Sequence, residues 1–406
     1  MEPTKTSDTF NRINDGPSDR ISQLPDPVLG LILCKVIDTR HTVRKLMDTR
    51  HVVKTMILSK RWRNLWASVP CLCFYDWSED FPNLVSFVNT VLQLRDSSDI
   101  HTFLVAWHHS VNVHRDHHLT TWTEHIVGRN IKVLELDIYA GDHAEGGVEF
   151  PSCIFTCQTL EELKLSMDWK KAKLNPLAII QLSRLRKLDL YGFDADCDSL
   201  KRLISGCPVL EDLKFFECKL HDPDISSDRL RQLIIECNDI TGSQVRIYCP
   251  NLRSLTFNVN SFERVRLLWE NVSSVVDATI QTEDDSGDPC FPVDVDVEPP
   301  KSITSRNKYV SRASGFPLFW NLKRLELSGR YLEFNFATVV YFLQHLPKLE
   351  LLTLHKDLAV KKEEVWCYNC PLHYKLTVIF ICDEENEKVI ELMDDLVGRR
   401  CDCPWE

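Results

Sequence analysis

The chain has 406 residues, of which 44% are hydrophobic and 26% are charged, and its formal net charge is -11. This composition supplies enough apolar material for a globular core, while the acidic balance argues against a general nucleic-acid binder or a protein held to anionic membranes. No apolar run approaches the roughly 20 residues that a membrane-spanning helix needs, and residues 1–5 lack the basic start of a signal peptide. We therefore expect an intracellular protein, in the nucleus, the cytoplasm or both, with neither nucleic acid nor membrane as a partner.

Two short helices are predicted within residues 19–70, after a polar and mobile leader at residues 1–18. In the first helix, Asp26 suits the N-cap and Pro27 suits the first helical position. The apolar stripe of this helix comprises Val28, Leu29, Ile32, Leu33 and Val36. In the second helix, helical spacing places five apolar residues on one side: Leu58, Trp62, Leu65, Trp66 and Val69. So large an apolar surface must be buried against the same chain or against a partner.

These two segments resemble the F-box of plant F-box/leucine-rich-repeat proteins. The similarity lies in Asp19-Arg20-Ile21-Ser22-x-Leu24-Pro25-Asp26, then an apolar helix, then Leu58-Ser59-Lys60-Arg61-Trp62-Arg63-x-Leu65-Trp66. In that family the F-box docks on the SKP adaptor of an SCF-type ubiquitin ligase and, through it, on a cullin. The resemblance implies that eight residues form the docking surface or its immediate support: Leu24, Pro25, Ile32, Leu33, Leu58, Trp62, Leu65 and Trp66. The alternative is that both tryptophans pack only inside a helical subdomain.

A tandem duplication interrupts this F-box-like segment. Residues 38–47 are nearly repeated at residues 48–57, and removing the first copy restores the family's usual spacing. In a continuous helix, about ten extra residues at roughly 100° each would rotate the following residues by roughly 80°. The insertion must therefore loop out or add turns away from the docking surface. If it does neither, adaptor binding fails.

Residues 71–130 are predicted to form a helix-strand-helix lead-in. Apolar positions between Asp80 and Leu94 indicate the first helix, and residues 101–107 read as a strand. A second helix follows around Leu119 to Val127. This order also resembles the start of the repeat region in the plant family.

A degenerate internal repeat fills residues 131–370. The frame Leu-x-x-Leu-x-Leu, with Ile or Phe at some positions, starts at Ile131, Leu160, Leu185, Leu210, Leu230, Leu252, Leu322 and Leu349. Successive starts are 20 to 29 residues apart until a gap after Phe257, in which Val272-x-x-Val275 is a poor candidate for a further copy. This is the leucine-rich-repeat period, in which no unit can bury its leucines without its neighbours. Only Cys218 and Asn238 occupy the usual Asn/Cys turn position, so we expect an irregular solenoid.

Two further segments complete the predicted organisation. Residues 282–315 are acidic, contain prolines and are expected to form a mobile loop, although a regulatory or substrate-contacting role stays open. Their acidic spacing does not match a calcium-binding EF-hand loop. Residues 371–406 are expected to cap the solenoid with a strand and a helix, where plant relatives often carry an FBD module. The predicted fold class is thus α/β: an N-terminal helical F-box, then a solenoid with a parallel sheet on its concave face.

Neither a cofactor nor a catalytic residue is predicted. The chain has 16 cysteines, which we expect to be mainly reduced core thiols. Cys367-x-x-Cys370 with Cys401-x-Cys403 suggests a zinc site only weakly, because one residue separates the second pair where structural zinc sites use two to four. There is no Gly-rich phosphate loop and no Gly-x-Ser-x-Gly elbow. We therefore predict a protein that is not an enzyme.

The function implied by the resemblance is substrate recognition for an SCF-type ubiquitin ligase. The F-box would bind the SKP adaptor, and the solenoid would bind an unknown target protein. Polar or exposed positions beside the strand leucines are the predicted target contacts: Glu135, Asp137, Lys164, Asp189, Tyr191, Lys214, Phe216, Glu236, Glu326 and His355. The alternative is a leucine-rich-repeat interaction scaffold whose interrupted F-box no longer recruits a ligase.

Overall fold

The structure is a computed structural model that describes residues 21, 23–37, 49–76, 84–96, 98–107, 115–138, 150–167, 172–173, 179–237, 239–242, 244–259, 266–282, 320–328, 346, 348–355, 364–369 and 377–382. Four predicted features lie outside these residues: the leader, the first copy of the duplication, nearly all of the acidic loop and the C-terminal helix.

Six α-helices and three 3-10 turns occur in the described part of the chain. The helices are α1 Asp26–Ile37, α2 Thr49–Lys54, α3 Trp62–Leu65, α4 Leu84–Leu94, α5 Arg115–Val127 and α6 Cys197–Ser205. The 3-10 turns are Thr55–Ile57, Trp66–Ser68 and Ser152–Thr156. Helices α4 and α5 match the two helices predicted for the lead-in.

The described strands are numbered in chain order. The first ten are β1 Cys71–Tyr75, β2 Thr102–Trp107, β3 Val133–Ile138, β4 Glu162–Met167, β5 Ala172–Lys173, β6 Lys187–Tyr191, β7 Phe193–Asp196, β8 Asp212–Phe216, β9 Lys219–His221 and β10 Asp224–Ser226. The others are β11 Gln232–Cys237, β12 Asp239–Thr241, β13 Gln244–Tyr248, β14 Ser254–Val259, β15 Arg266–Glu270, β16 Asp277–Thr282, β17 Arg324–Ser328, β18 Leu351–His355, β19 Glu364–Asn369 and β20 Thr377–Cys382.

One large sheet organises the described residues. Its 13 described strands follow the order β1-β2-β3-β4-β6-β8-β11-β14-β16-β17-β18-β20-β19. Every neighbouring pair is parallel except the last, in which β19 runs antiparallel to β20. The chain is therefore a mixed α/β protein with a parallel sheet of the leucine-rich-repeat type.

The predicted repeat frame sets the register of this sheet. The second apolar position of each frame lies directly beside its equivalent on the next strand, as for Leu163, Leu188 and Leu213. These side chains are almost completely buried. Burying one leucine side chain stabilises a fold by about 1.5–3 kcal/mol. The repeated leucines thus hold together adjacent strands that lie 25 residues apart in the sequence.

The gap in the repeat contains one more repeat unit than the frame showed. Strand β16 pairs with β14 on one side and with β17 on the other. The register places Ala278 beside Leu255 and Ile280 beside Phe257, so the unit starts at Val275 rather than at Val272. Alanine and valine substitute for leucine here, which is why the frame was hard to recognise.

Two small parallel sheets lie outside the main sheet. Strands β12-β9-β7-β5 form one, and strands β10-β13-β15 form the other. Sequence reasoning missed them because their strands are only two to five residues long. Helix α6 lies between β7 and β8 in the chain. Asp196 caps the start of this helix by accepting a hydrogen bond from Ser199 N at 2.8 Å.

The N-terminal helices pack on the first edge of the main sheet. Helices α1 and α2 both contact β1, and Cys73 N donates to Thr49 Oγ1 at 2.8 Å. The buried Arg95 side chain donates to Val69 O at 2.6 Å, next to the start of β1. Strand β1 was not predicted, because all five of its residues are buried and it lacks the alternation of a half-exposed strand. None of the described helices has the length and apolar character needed to cross a membrane.

The leucine register predicts a large difference between two otherwise similar truncations. Leu233 is fully buried between β8 and β14, whereas Leu94 at the end of α4 is 61% exposed. We expect Leu233→Ala to lower the free energy of unfolding by about 2–5 kcal/mol. Leu94→Ala should change it by no more than about 0.5 kcal/mol. Urea denaturation followed by circular dichroism measures both, and equal losses would contradict the assignment of the core.

Candidate binding surfaces

The predicted adaptor-binding residues divide into an exposed group and a buried group. Pro25, Ile32 and Leu58 are exposed, and Leu24 is half-buried against the core. The buried residues are Leu33, Trp62, Leu65 and Trp66. The structure therefore places both tryptophans in the core, where they support the surface that α1 and the Thr55–Ile57 turn present.

A break in the second predicted helix explains this division. The chain makes the turn at Thr55–Ile57, leaves helical structure at Leu58 and resumes it at Trp62. Leu58 is consequently 64% exposed instead of joining the buried stripe with Trp62. The continuous helix that we predicted from Leu58 was wrong in this respect, because spacing alone does not show where a helix is interrupted.

Seven exposed apolar side chains form what we call the N-terminal apolar set. The members are Ile21, Val28, Leu31, Ile32, Met56, Ile57 and Leu58. They account for more than half of the large hydrophobic side chains that are exposed in the described part of the chain. Sequence analysis missed several of them because α1 is apolar on more than one side, so its buried stripe could not be separated from the rest.

The elements that carry this set are fastened together. Arg61 Nη2 lies 2.6 Å from Asp26 Oδ1, and Arg61 also donates a hydrogen bond to Leu24 O. Helix α3 contacts both α1 and the Thr55–Ile57 turn. These contacts place the turn near the start of α1. The exposed apolar side chains are thereby presented by one packed unit.

Cys34 on α1 lies against Cys71 at the start of β1, with their Cα atoms 5.3 Å apart. This contact links α1 to the edge of the main sheet. Free cysteines in the described part of the chain include Cys73, Cys153, Cys157, Cys197, Cys207, Cys218, Cys237 and Cys249. Burial raises the pKa of Cys207 and of Cys249 to about 12, so both thiols are protonated at neutral pH.

The second candidate surface is the polar face of the main sheet. Its predicted residues lie on strands β3, β4, β6, β8, β11, β17 and β18. Glu135 is 8% exposed, whereas Lys164, Asp189, Lys214, Tyr191, Phe216, Asp137, Glu236 and Glu326 are partly exposed. His355 ends β18 beside Ser328.

Strand register brings four predicted residues into a charged row. Glu135, Lys164, Asp189 and Lys214 are adjacent on β3, β4, β6 and β8, and we call them the acid-base row. Lys164 Nζ lies 2.9 Å from Glu135 Oε1, and Lys214 Nζ lies 3.8 Å from Asp189 Oδ2. The signs alternate along the row, so each cation has a carboxylate on a neighbouring strand.

A second row runs along the carboxyl ends of these four strands and continues onto β11 and β14. Its residues are Asp137, Ser166, Tyr191, Phe216, Glu236 and Asn258, which we call the aromatic row. The Tyr191 and Phe216 rings stack with their centroids 4.4 Å apart and their planes 16° apart. Lys164 Nζ lies 5.3 Å from the centre of the Tyr191 ring. Ser166 and Asn258 were not among the predicted contacts, because neither follows from the leucine frame without the register.

Partial burial changes the titration of these groups. Burial raises the pKa of Asp189, although Lys214 and Lys164 act to lower it. Burial also raises the pKa of Tyr191, although the charge of Lys164 acts to lower this pKa. Burial by itself would lower the pKa of Lys164, but the charge of Glu135 and its hydrogen bond raise it overall. The acid-base row therefore consists of charges whose hydration is partly replaced by contacts with one another.

No group of three or more His, Cys, Asp or Glu side chains among the described residues is arranged to hold a metal ion. The cysteine set considered for zinc lies outside the described residues at Cys370, Cys401 and Cys403.

Comparison with known proteins gives the same architecture. Residues 119–267 match the family model described as FBD-associated F-box protein At5g56370, LRR repeats. F-box/LRR-repeat protein 25 of Arabidopsis thaliana is 30% identical over 243 residues, which cover 59% of this chain and 85% of the relative. The chain belongs to the plant F-box/LRR-repeat family.

Other members of this family align over almost the whole chain. FBD-associated F-box protein At4g13985 of Arabidopsis thaliana is 28% identical over 397 residues, covering 88% of this chain and 81% of the relative. F-box/FBD/LRR-repeat protein At1g80470 of the same plant is 27% identical over 403 residues, covering 92% of this chain and 82% of the relative. The similarity of this F-box/LRR protein to its relatives thus extends well beyond the repeats.

The raised pKa of Asp189 predicts how stability depends on pH. The folded protein binds this proton more tightly than the unfolded chain, so the contribution of Asp189 to stability falls as pH rises from 3.8 through the raised folded pKa. An asparagine at this position does not ionise, so the Asp189→Asn variant does not lose this stability as pH rises. We expect the stability of Asp189→Asn, relative to the natural protein, to increase between about pH 4 and about pH 7. Chemical denaturation at a series of pH values measures the difference.

Asp196 supplies a control of opposite sign. The hydrogen bonds from Ser199 lower the pKa of Asp196, so its stabilising contribution is present above 3.8 and is lost as pH falls through the lowered folded pKa. Asp196→Asn should therefore become less stable relative to the natural protein as pH rises. A shift in the same direction for both variants would contradict the environments described for these two carboxylates.

Proposed function

We propose that this protein is the substrate-recognition subunit of an SCF-type E3 ubiquitin ligase. Its N-terminal apolar set binds an SKP-family adaptor and through it a cullin, and its parallel sheet binds the target protein. One observation carries the proposal. Most of the large apolar side chains that are exposed in the described part of the chain belong to one packed N-terminal unit. Such a surface is costly to leave in water and is typical of a protein interface. The F-box names of the relatives agree with this role.

We propose a division of labour along the chain. Residues 19–70 act as the F-box, residues 71–130 join it to the repeats, and residues 131–370 form the solenoid with its insertion at 282–315. Residues 371–406 act as the terminal cap. No residue of this chain performs ubiquitin transfer, which belongs to the other subunits of the ligase. The protein works in the nucleus, the cytoplasm or both.

The duplication is compatible with this proposal. Helix α1 at Asp26–Ile37 lies on one side of the first copy of the duplication, and α2 at Thr49–Lys54 lies on the other. Arg61 still pairs with Asp26, and α3 still contacts α1. The insertion therefore leaves these two segments packed together, as adaptor binding requires.

A charge placed in the N-terminal apolar set tests adaptor binding. Ile57 is 84% exposed within the set, and Ile179 is 68% exposed outside it. We expect Ile57→Asp to weaken binding of the full chain to a purified plant SKP adaptor at least about tenfold, because about 1.4 kcal/mol of apolar contact is lost. Ile179→Asp is the matched control and should bind like the natural protein. Titration calorimetry with the adaptor measures both, and equal affinities would count against this surface.

A deletion of residues 38–47 separates the two functions that the sequence left open. The adaptor proposal expects the natural full chain to bind the SKP adaptor and the deletion variant to bind at least as well. Binding by the deletion variant alone would instead favour an interaction scaffold with a disabled F-box. Substituting Trp62 and Trp66 is less informative, since both are buried and their loss would cost about 3–5 kcal/mol of stability each.

A further inference from the structure

The stacked aromatic pair of the aromatic row is open to extension on one side. Tyr191 on β6 receives Lys164 from β4 and Phe216 from β8, which are the two strands that flank β6. Tyr191 therefore has a neighbour on each side. Phe216 has Tyr191 on one side, and on the other side the next position of the row belongs to Glu236 on β11. The partly exposed Phe216 ring thus stands between an aromatic ring and a carboxylate.

Hydrogen-bond acceptors without donors lie beside Phe216. Glu236 is partly exposed, and no described cation forms an ion pair with it. Asn258 follows Glu236 in the row, and its Oδ1 atom is buried without a hydrogen-bond partner among the described residues. Asp189 Oδ1, in the adjacent acid-base row, is likewise buried and unpartnered within the described chain. Glu236 is therefore the acceptor of this place that a donor from outside can reach, because its side chain is partly exposed.

The charges around this place favour a cation over an anion. The nearest lysines of the acid-base row, Lys164 and Lys214, already face Glu135 and Asp189. Glu236 adds a negative charge that neither lysine balances through an ion pair, and Glu217 is exposed at the end of β8. An incoming carboxylate or phosphate would be repelled by Glu236. An incoming cation would form an ion pair with Glu236.

Among cationic side chains, arginine matches the geometry best. A guanidinium is planar and can stack on an aromatic face, whereas a lysine ammonium is a compact charge. Its five N–H donors can serve a carboxylate and an amide oxygen at the same time. The partly exposed Phe216 ring and Glu236 carboxylate supply an aromatic face and a charged acceptor on adjacent strands.

We propose that Phe216 and Glu236 form a binding site for an arginine side chain of the target protein. The guanidinium stacks on the outer face of Phe216 and pairs with Glu236, which lies beside Asn258 in the row. The inference rests on the proposed function in one respect: the arginine is taken to belong to a protein that the ligase ubiquitinates. The site itself depends only on the main sheet.

Selection from a random peptide library tests the site without knowledge of the target. Phage-displayed 12-residue peptides would be selected on the immobilised full chain and on Glu236→Lys. We expect arginine to be enriched at one position of the peptides selected by the natural chain. Glu236→Lys should lose this enrichment and select aspartate or glutamate instead, because the charge of the site is reversed. Glu124→Lys changes the same residue type at an exposed position on α5 and should keep the preference for arginine.

The chemistry of the contact is tested with one synthetic peptide chosen from the selection. Replacing its arginine by citrulline keeps the planar shape but removes the charge, and should weaken binding at least about tenfold. Phe216→Leu should weaken binding of the arginine peptide about threefold to tenfold, because the aromatic face is lost. Fluorescence polarisation measures these affinities. Circular dichroism and thermal unfolding confirm that Glu236→Lys and Phe216→Leu are folded like the natural chain.

The outcomes distinguish this site from the proposed ligase function. Glu236→Lys should bind the SKP adaptor with unchanged affinity. Enrichment of arginine without adaptor binding would overturn the ligase function and leave the site intact. A selection without any preference for arginine, including one that enriches no peptide, would overturn the site. So would a preference for arginine that persists in folded Glu236→Lys.

Discussion

The burial of the repeated leucines on one face of a parallel sheet is the constraint on which the other features depend. Residues such as Leu188 and Leu213 meet across neighbouring strands and are withdrawn from water. Because successive side chains of a strand point to opposite faces, this burial also decides which residues face outward. A shift of one residue in any strand would exchange the two faces and expose its apolar side chains.

The outward face gains its chemistry from this same register. Lys164 and Asp189 lie far apart from their partners Glu135 and Lys214 in sequence but adjacent to them in the sheet. Burial raises the pKa of Asp189, whereas burial acts to lower the pKa of Lys164 and its contact with Glu135 raises it overall. The sheet thus provides both a polar surface and a defined distribution of charge. Recognition by such a surface depends on which side chains are neighbours more than on the number of charges.

The N-terminal unit divides its apolar residues between its interior and its surface. Trp62, Trp66 and Leu65 fill its interior, while Ile57 and Leu58 stay in contact with solvent. Arg61 joins the two parts by pairing with Asp26, and Cys34 on α1 lies against Cys71 of β1. A small unit of this kind has too little interior to bury all of its apolar residues. The residues left outside are available to a partner, which is consistent with membership of the F-box/LRR family.

The sequence by itself determined the repeat, its period, the strands that begin from it and the outward position of residues such as Tyr191. These features are local, since spacing within about 30 residues decides them. Only the tertiary structure decided that Tyr191 stacks on Phe216, that Glu236 and Asn258 are neighbours, and that Val275 begins a repeat. It also decided that Leu58 is exposed while Trp62 is buried. The reason is physical: such contacts depend on how loops of unequal length align separate strands, and on where a helix breaks, and neither is encoded in apolar spacing alone.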